Sequence, residues 1–159
     1  MRNTLAALLT LFLIHCAFSL DYDVLPESLD RTPFFTNIAI DGSIDEADIL
    51  IIKLALTEWN MALAGNLTLS YFVSDDNPTT NCVRVHDDES TVHDQWKDNI
   101  ASGEVVLGYV LGGCVNIIKR SVEGLAHADG IPYKRMLKTV MLHEFGHYLG
   151  MSHSASSRS

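Results

Sequence analysis

The chain has 159 residues, 47% of them hydrophobic, which is material for one modest core and speaks against a multidomain protein. Its formal charge is −9, with 20 acidic side chains against 11 lysines and arginines, and this balance argues against nucleic-acid partners.

At the N-terminus Arg2 precedes an uncharged stretch over residues 3–20, whose apolar heart runs from 5 to 18 and ends in Ala17-Phe18-Ser19. Small residues then fill the −3 and −1 positions of a cleavage after Ser19, so residues 1–19 read as a secretory signal peptide. The stretch is too short to span a bilayer comfortably, and no later segment is a candidate; no membrane association is expected once it is removed. The mature protein is expected to be secreted, or periplasmic in a bacterium. Residues 20–31 are polar, contain Pro26 and lack a period, as suits a short N-terminal tail or pro-segment. Cleavage removes Cys16 and leaves Cys82 and Cys114, which in an exported protein most simply form one disulfide; two buried thiols are the alternative.

Residues 34–40 alternate Phe34, Thr36, Ile38, Ile40 as a first strand. Ser43-Ile44-Asp45-Glu46 reads as a capping box with Ser43 as N-cap, opening a helix whose apolar positions Ile49, Ile52, Leu56, Trp59 and Leu63 keep the helical period until Gly65 closes it. Asn66-Leu67-Thr68 is a glycosylation sequon in a eukaryote and otherwise a helix-to-strand turn. Leu67, Leu69, Tyr71 and Val73 alternate as a second strand, and strand, long helix, strand favours a right-handed parallel crossover. Residues 82–86 form a third strand. Asp87-Asp88-Glu89 follows it, a solvated acidic loop in which nothing supports a Ca²⁺ site.

Residues 105–111 are a further strand, in which Gly108 and the flanking Gly112-Gly113 imply a bend or bulge near a sheet edge. Residues 114–118 give one more strand, residues 125–132 a loop, and residues 133–149 a second long helix. The expected class is α+β, two long helices on a twisted mixed sheet.

The last helix carries the most specific pattern in the chain. It reads His143-Glu144-Phe145-Gly146-His147-Tyr148-Leu149-Gly150-Met151-Ser152-His153, a full HExxHxxGxxH. On a helix His143 and His147 lie one turn apart and point the same way, so two imidazoles can bind one ion, with Glu144 at the rim of that face. Gly150 can take a left-handed conformation that turns the chain back and lets His153 reach the same ion. Three imidazoles on Zn²⁺ leave one coordination position open, the pattern of a catalytic site. Met141, Leu142, Phe145 and Leu149 form the opposite, core-facing stripe.

At these residues the chain resembles the metzincin metallopeptidases. The resemblance implies zinc ligation by His143, His147 and His153, base catalysis by Glu144, and a turn at Gly150. Ser154 after the third histidine is similar to the matrixin branch, while Leu149-Gly150-Met151-Ser152-His153 also resembles the reprolysin branch. No Pro-Arg-Cys-Gly type segment precedes the domain, so the matrixin mode of latency is not supported. The element order matches the metzincin N-terminal subdomain that carries the active-site helix, over residues 32–159. Metzincins place a Met-turn some way beyond the third histidine; only Ser154 to Ser159 follow it here, so the C-terminal part is expected to be missing from the chain. Leu125-Ala126-His127-Ala128 resembles a matrixin segment with a structural-zinc ligand, but His127 lies too close before the metal helix; His86, His93 and His127 read as surface or loop side chains.

The implied function is that of a secreted zinc-dependent endopeptidase acting on protein or peptide substrates, with an extended peptide pairing along residues 105–111. The alternative is a secreted zinc-binding domain without peptidase activity, as a truncated product or a binding module. Glu144 separates them, because a structural metal site has no use for an unliganded carboxylate.

Overall fold

The computed structural model describes residues 34–63, 67–88 and 105–151, together with 90, 94 and 97. The expected signal peptide and N-terminal tail, Asn66, His93 and His153 lie outside the described residues.

Alternation along the first strand sorts its side chains between two faces. In β1 (Phe34–Asp41), Thr36, Ile38 and Ile40 are buried on one face, while Ala39 is buried on the other. Helix α1 (Glu46–Ala62) covers the first face with Ile49, Ile52, Ala55 and Leu56. Its cap is not the expected one. Asp45 is the N-cap and accepts from the Ala47 amide at 3.0 Å. Ser43 instead donates to Asp41 Oδ1 through both its amide and its hydroxyl, so the preceding turn consumes the serine and leaves the carboxylate to the helix.

After α1 the chain returns as β2 (Leu67–Ser74), parallel to β1 and in register from Phe34↔Leu67 to Asp41↔Ser74, as the crossover rule requires. The strand β3 (Cys82–His86) pairs with the far side of β1 at Ala39 and Ile40, and then in parallel with β5 (Cys114–Ile118). The order is β2-β1-β3-β5-β4, with β4 (Gly108–Leu111) antiparallel at the edge. The expected edge position is therefore observed, but residues 105–107 are not strand. There is no bulge at Gly108, which pairs with Ile117 in regular register. Gly112 and Gly113, with φ of 61° and 77°, make the tight return from β4 to β5.

Cys82 and Cys114 are direct partners across β3 and β5 and form a disulfide on the face that carries Ala39.

The chain passes from β5 straight into α2 (Lys119–Ala128), so much of the expected loop at residues 125–132 is helix. Its signals are faint in sequence. Its N-cap is the last strand residue, Ile118, without a side-chain cap hydrogen bond, and Gly124, a weak helix former, lies in its interior. Gly130, at φ 65°, ends it, with Ile131 N–H returning to Ala126 O. Helix α3 (Tyr133–Tyr148) then packs on α1, α2 and the sheet through Met136, Leu137, Val140, Met141 and Phe145. The fold is α+β as expected: a five-stranded mixed sheet with three described helices, two of them long.

Candidate metal and catalytic site

Helix α3 presents two different faces. Met141, Phe145 and Leu149 are buried in the core, with Leu142 partly buried against it. His143 and His147 are half-buried on another side, one turn apart, with their Nε2 atoms 3.1 Å from each other and their rings at 86°. Two nitrogens bound tetrahedrally to one zinc at about 2.0–2.1 Å stand roughly 3.3 Å apart. The pair is therefore spaced for a shared ion.

The helix end supplies the next part. Gly150 has φ 89°, its N–H bonds to His147 O at 2.9 Å, and Met151 N–H bonds to Gly146 O at 3.0 Å. This is the double hydrogen bond of a glycine C-cap, and the turn it makes is the one expected from the sequence. It carries Met151 O to 2.9 Å from His147 Nδ1. A carbonyl can only accept, so Nδ1 carries the proton and Nε2 keeps a lone pair toward His143. Sequence reasoning missed Met151, because a backbone carbonyl leaves no trace in residue type.

Glu144 is 5% exposed, turned in against the sheet rather than lying at an open rim. Its Oε2 is buried with no hydrogen-bond partner among the described residues. Burial pushes its carboxyl up to about 7. An orphaned carboxylate oxygen on the helix that carries two converging imidazoles fits a group that does not ligate the metal.

Two hydrogen bonds fix this helix beside the histidines. Trp59 Nε1 donates to Leu142 O at 3.1 Å, tying α1 to α3 one residue before His143. Tyr148 OH donates to Asn81 Oδ1 at 2.9 Å, anchoring the C-terminal turn beside β3. The indole could be read from the sequence only as a core position, since its N–H partner is 83 residues away.

The structure thus brings His143 and His147 together, with Glu144 buried on the same helix, while His153 lies outside the described residues. His86 is half-buried, with Nε2 3.0 Å from Asn116 Oδ1, and His127 is exposed. Among the described residues no group of three or more His, Cys, Asp or Glu side chains could hold a metal ion.

A family model described as matrixin matches residues 51–159, a span that contains every residue of the HExxHxxGxxH pattern. Curated proteins gave no match. The five-stranded mixed sheet and three helices are consistent with a matrixin catalytic domain. With the match spanning most of the chain and the fold in agreement, the protein belongs to the matrixin family, and membership implies a zinc metalloendopeptidase with protein substrates.

Proposed function

We propose that the protein is a secreted zinc-dependent endopeptidase in which His143, His147 and His153 hold one zinc ion and Glu144 is the general base. The observation that carries the reading is the convergence of the His143 and His147 Nε2 atoms on the helix that also buries Glu144 with its Oε2 lacking a partner among the described residues. Bound zinc would supply a positive charge that polarises the scissile carbonyl and acidifies the attacking water. Glu144 takes the proton from that water as it attacks and returns it to the departing amine. Its buried niche keeps bulk water from competing for the carboxylate.

A peptide substrate needs an open sheet edge. At the β2 edge, Asn60 donates to Leu69 O at 2.9 Å and accepts from Leu69 N–H at 2.7 Å, as a neighbouring strand would. The β4 edge borders α3 and lies at the other end of the sheet, so an extended substrate is assigned to β4. The leader at residues 1–19 and the catalytic domain at residues 32–159 belong to the same proposal. No described helix is long and apolar enough to cross a membrane.

The test is paired metal analysis and peptide hydrolysis on two variants. His147→Ala should lose the zinc. Glu144→Gln should keep it and lose cleavage by several orders of magnitude. Equal zinc in wild type and His147→Ala would refute the ligand assignment, and a fully active Glu144→Gln would refute the base.

A further inference from the structure

We infer that Gly108 is a positioning residue for Glu144: the side chain missing from this point of the edge strand is the space in which the stem of the carboxylate is held. The inference rests on the reading of Glu144 as the base.

No backbone dihedral asks for glycine at this position. Gly108 pairs with Ile117 in regular antiparallel register, and it lacks the positive φ of Gly112, Gly113, Gly130 and Gly150. What asks for it is room. A Cβ on Gly108 would lie 2.9 Å from Glu144 Cγ, 3.0 Å from Asn116 O and 3.0 Å from Ile117 Cδ1. The Ile117 methyl is a side-chain end that can swing away, and the Asn116 carbonyl need give by only a few tenths of an ångström. Glu144 Cγ is the middle of its side chain and moves only if χ1 leaves its well, and a helix allows few alternatives. Glu144 is also 5% exposed, so no open side receives it. By contrast, a Cβ on Gly124 would meet nothing within 4 Å.

The consequence concerns the chemistry. Backbone of β4 forms the wall against which the Glu144 stem rests, and that contact sets how far the carboxylate stands from the imidazoles. A base displaced by about 1 Å loses roughly 10²-fold in rate. The residue that seats the base thus belongs to the same edge strand that is assigned to the substrate.

The test uses the full chain carrying Gly108→Ala, Glu144→Ala, both, and Glu144→Gln, with zinc content, melting temperature and cleavage of a quenched peptide selected from a mixed library. Gly108→Ala should retain one zinc, lower kcat about 10²-fold and leave KM within about threefold, because the histidines and the backbone N–H and C=O groups of β4 are retained. It should also lower the melting temperature by roughly 5 °C, as overpacking does. In the Glu144→Ala background, which removes Cγ, that drop should shrink to less than about half. An equal drop in both backgrounds, or a raised KM with kcat intact, overturns the inference. If Gly108→Ala does not fold, the double variant should; failure of both to fold also overturns it. The two readings fail separately. A fully active Glu144→Gln removes the base and the catalytic role of Gly108 with it, whereas absent thermal coupling removes only Gly108.

Discussion

Tyr133 donates a 3.0 Å hydrogen bond to Asp48 Oδ2, joining the first residue of α3 to the first turn of α1. Lys119 Nζ lies 3.1 Å from the same oxygen, so one buried carboxylate holds the starts of all three described helices. Both partners respond to alkali in the same direction. Burial and the Asp48 carboxylate hold the Tyr133 phenol well above its ordinary value, and the hydrogen bond to Asp48 raises Lys119. Above about pH 10 the unfolded chain releases these protons while the folded chain retains them, so the free energy of unfolding falls as pH rises. Urea unfolding should therefore give a stability that is flat below that point and falls above it. Tyr133→Phe should lose about 1 kcal/mol near neutrality and show a shallower alkaline fall. An alkaline slope identical to that of wild type would remove Tyr133 from the linkage.

The hydrogen bond from Trp59 Nε1 to Leu142 O acts on the site from outside it. Trp59→Phe keeps most of the apolar bulk and deletes the donor. The variant should lose about 1 kcal/mol of stability, and its zinc affinity, measured by competition with a chelator, should fall several-fold as His143 loses its fixed backbone. Unchanged affinity with reduced stability would mean that the indole packs α1 on α3 without setting the ligand.

The Cys82–Cys114 disulfide spans 32 residues and staples two strands already paired in the sheet. On the chain-entropy model it contributes roughly 3.5 kcal/mol, although strand pairing retained in the reduced state would lower that figure. Both cysteines are 1% exposed, so reduction of the folded protein should be slow and should accelerate in urea. Thiol alkylation without reductant should label neither residue. The Cys82→Ala/Cys114→Ala pair should unfold at lower urea, and an unchanged midpoint would contradict the estimate.

What the sequence made legible was whatever a single residue type and a period can encode. Ile38 and Ile40 alternate into the core, Ile52 and Leu56 keep helical spacing, and the histidine pattern predicted its own helix and its Gly150 turn. Competition between neighbours was not legible. Ser43 and Asp45 both make good caps, and only the carboxylate of Asp41 decides which is free. Helix α2 carries Gly124 and no side-chain cap, so its local preference is weak and packing of Val122 and Ala126 carries it. Tyr71 and Val73 alternate with Leu69 yet stay 43% and 47% exposed, because β2 is an edge strand that α1 covers only in part. Gly108 looked like a conformational glycine and is a spatial one, since the atoms that crowd a side chain there come from residues 116, 117 and, nearest, 144.

Gly150 offers a graded test of how the turn supports the metal. Its φ of 89° is one that an alanine adopts only with strain, and the turn carries Met151 O to His147 Nδ1. Gly150→Ala should cost roughly 1–2 kcal/mol of stability, while Gly150→Asn should cost less, because asparagine tolerates positive φ better than other side chains. If the Met151 carbonyl holds the His147 tautomer, zinc affinity should follow the same order: wild type, then Gly150→Asn, then Gly150→Ala, with about a tenfold loss at the far end. Chelator competition measures the affinity and urea unfolding of the metal-free chains measures the strain. Parallel losses would tie the ligand to the turn. Zinc affinity equal in all three chains, despite graded stability, would show that His147 binds the metal without the Met151 carbonyl.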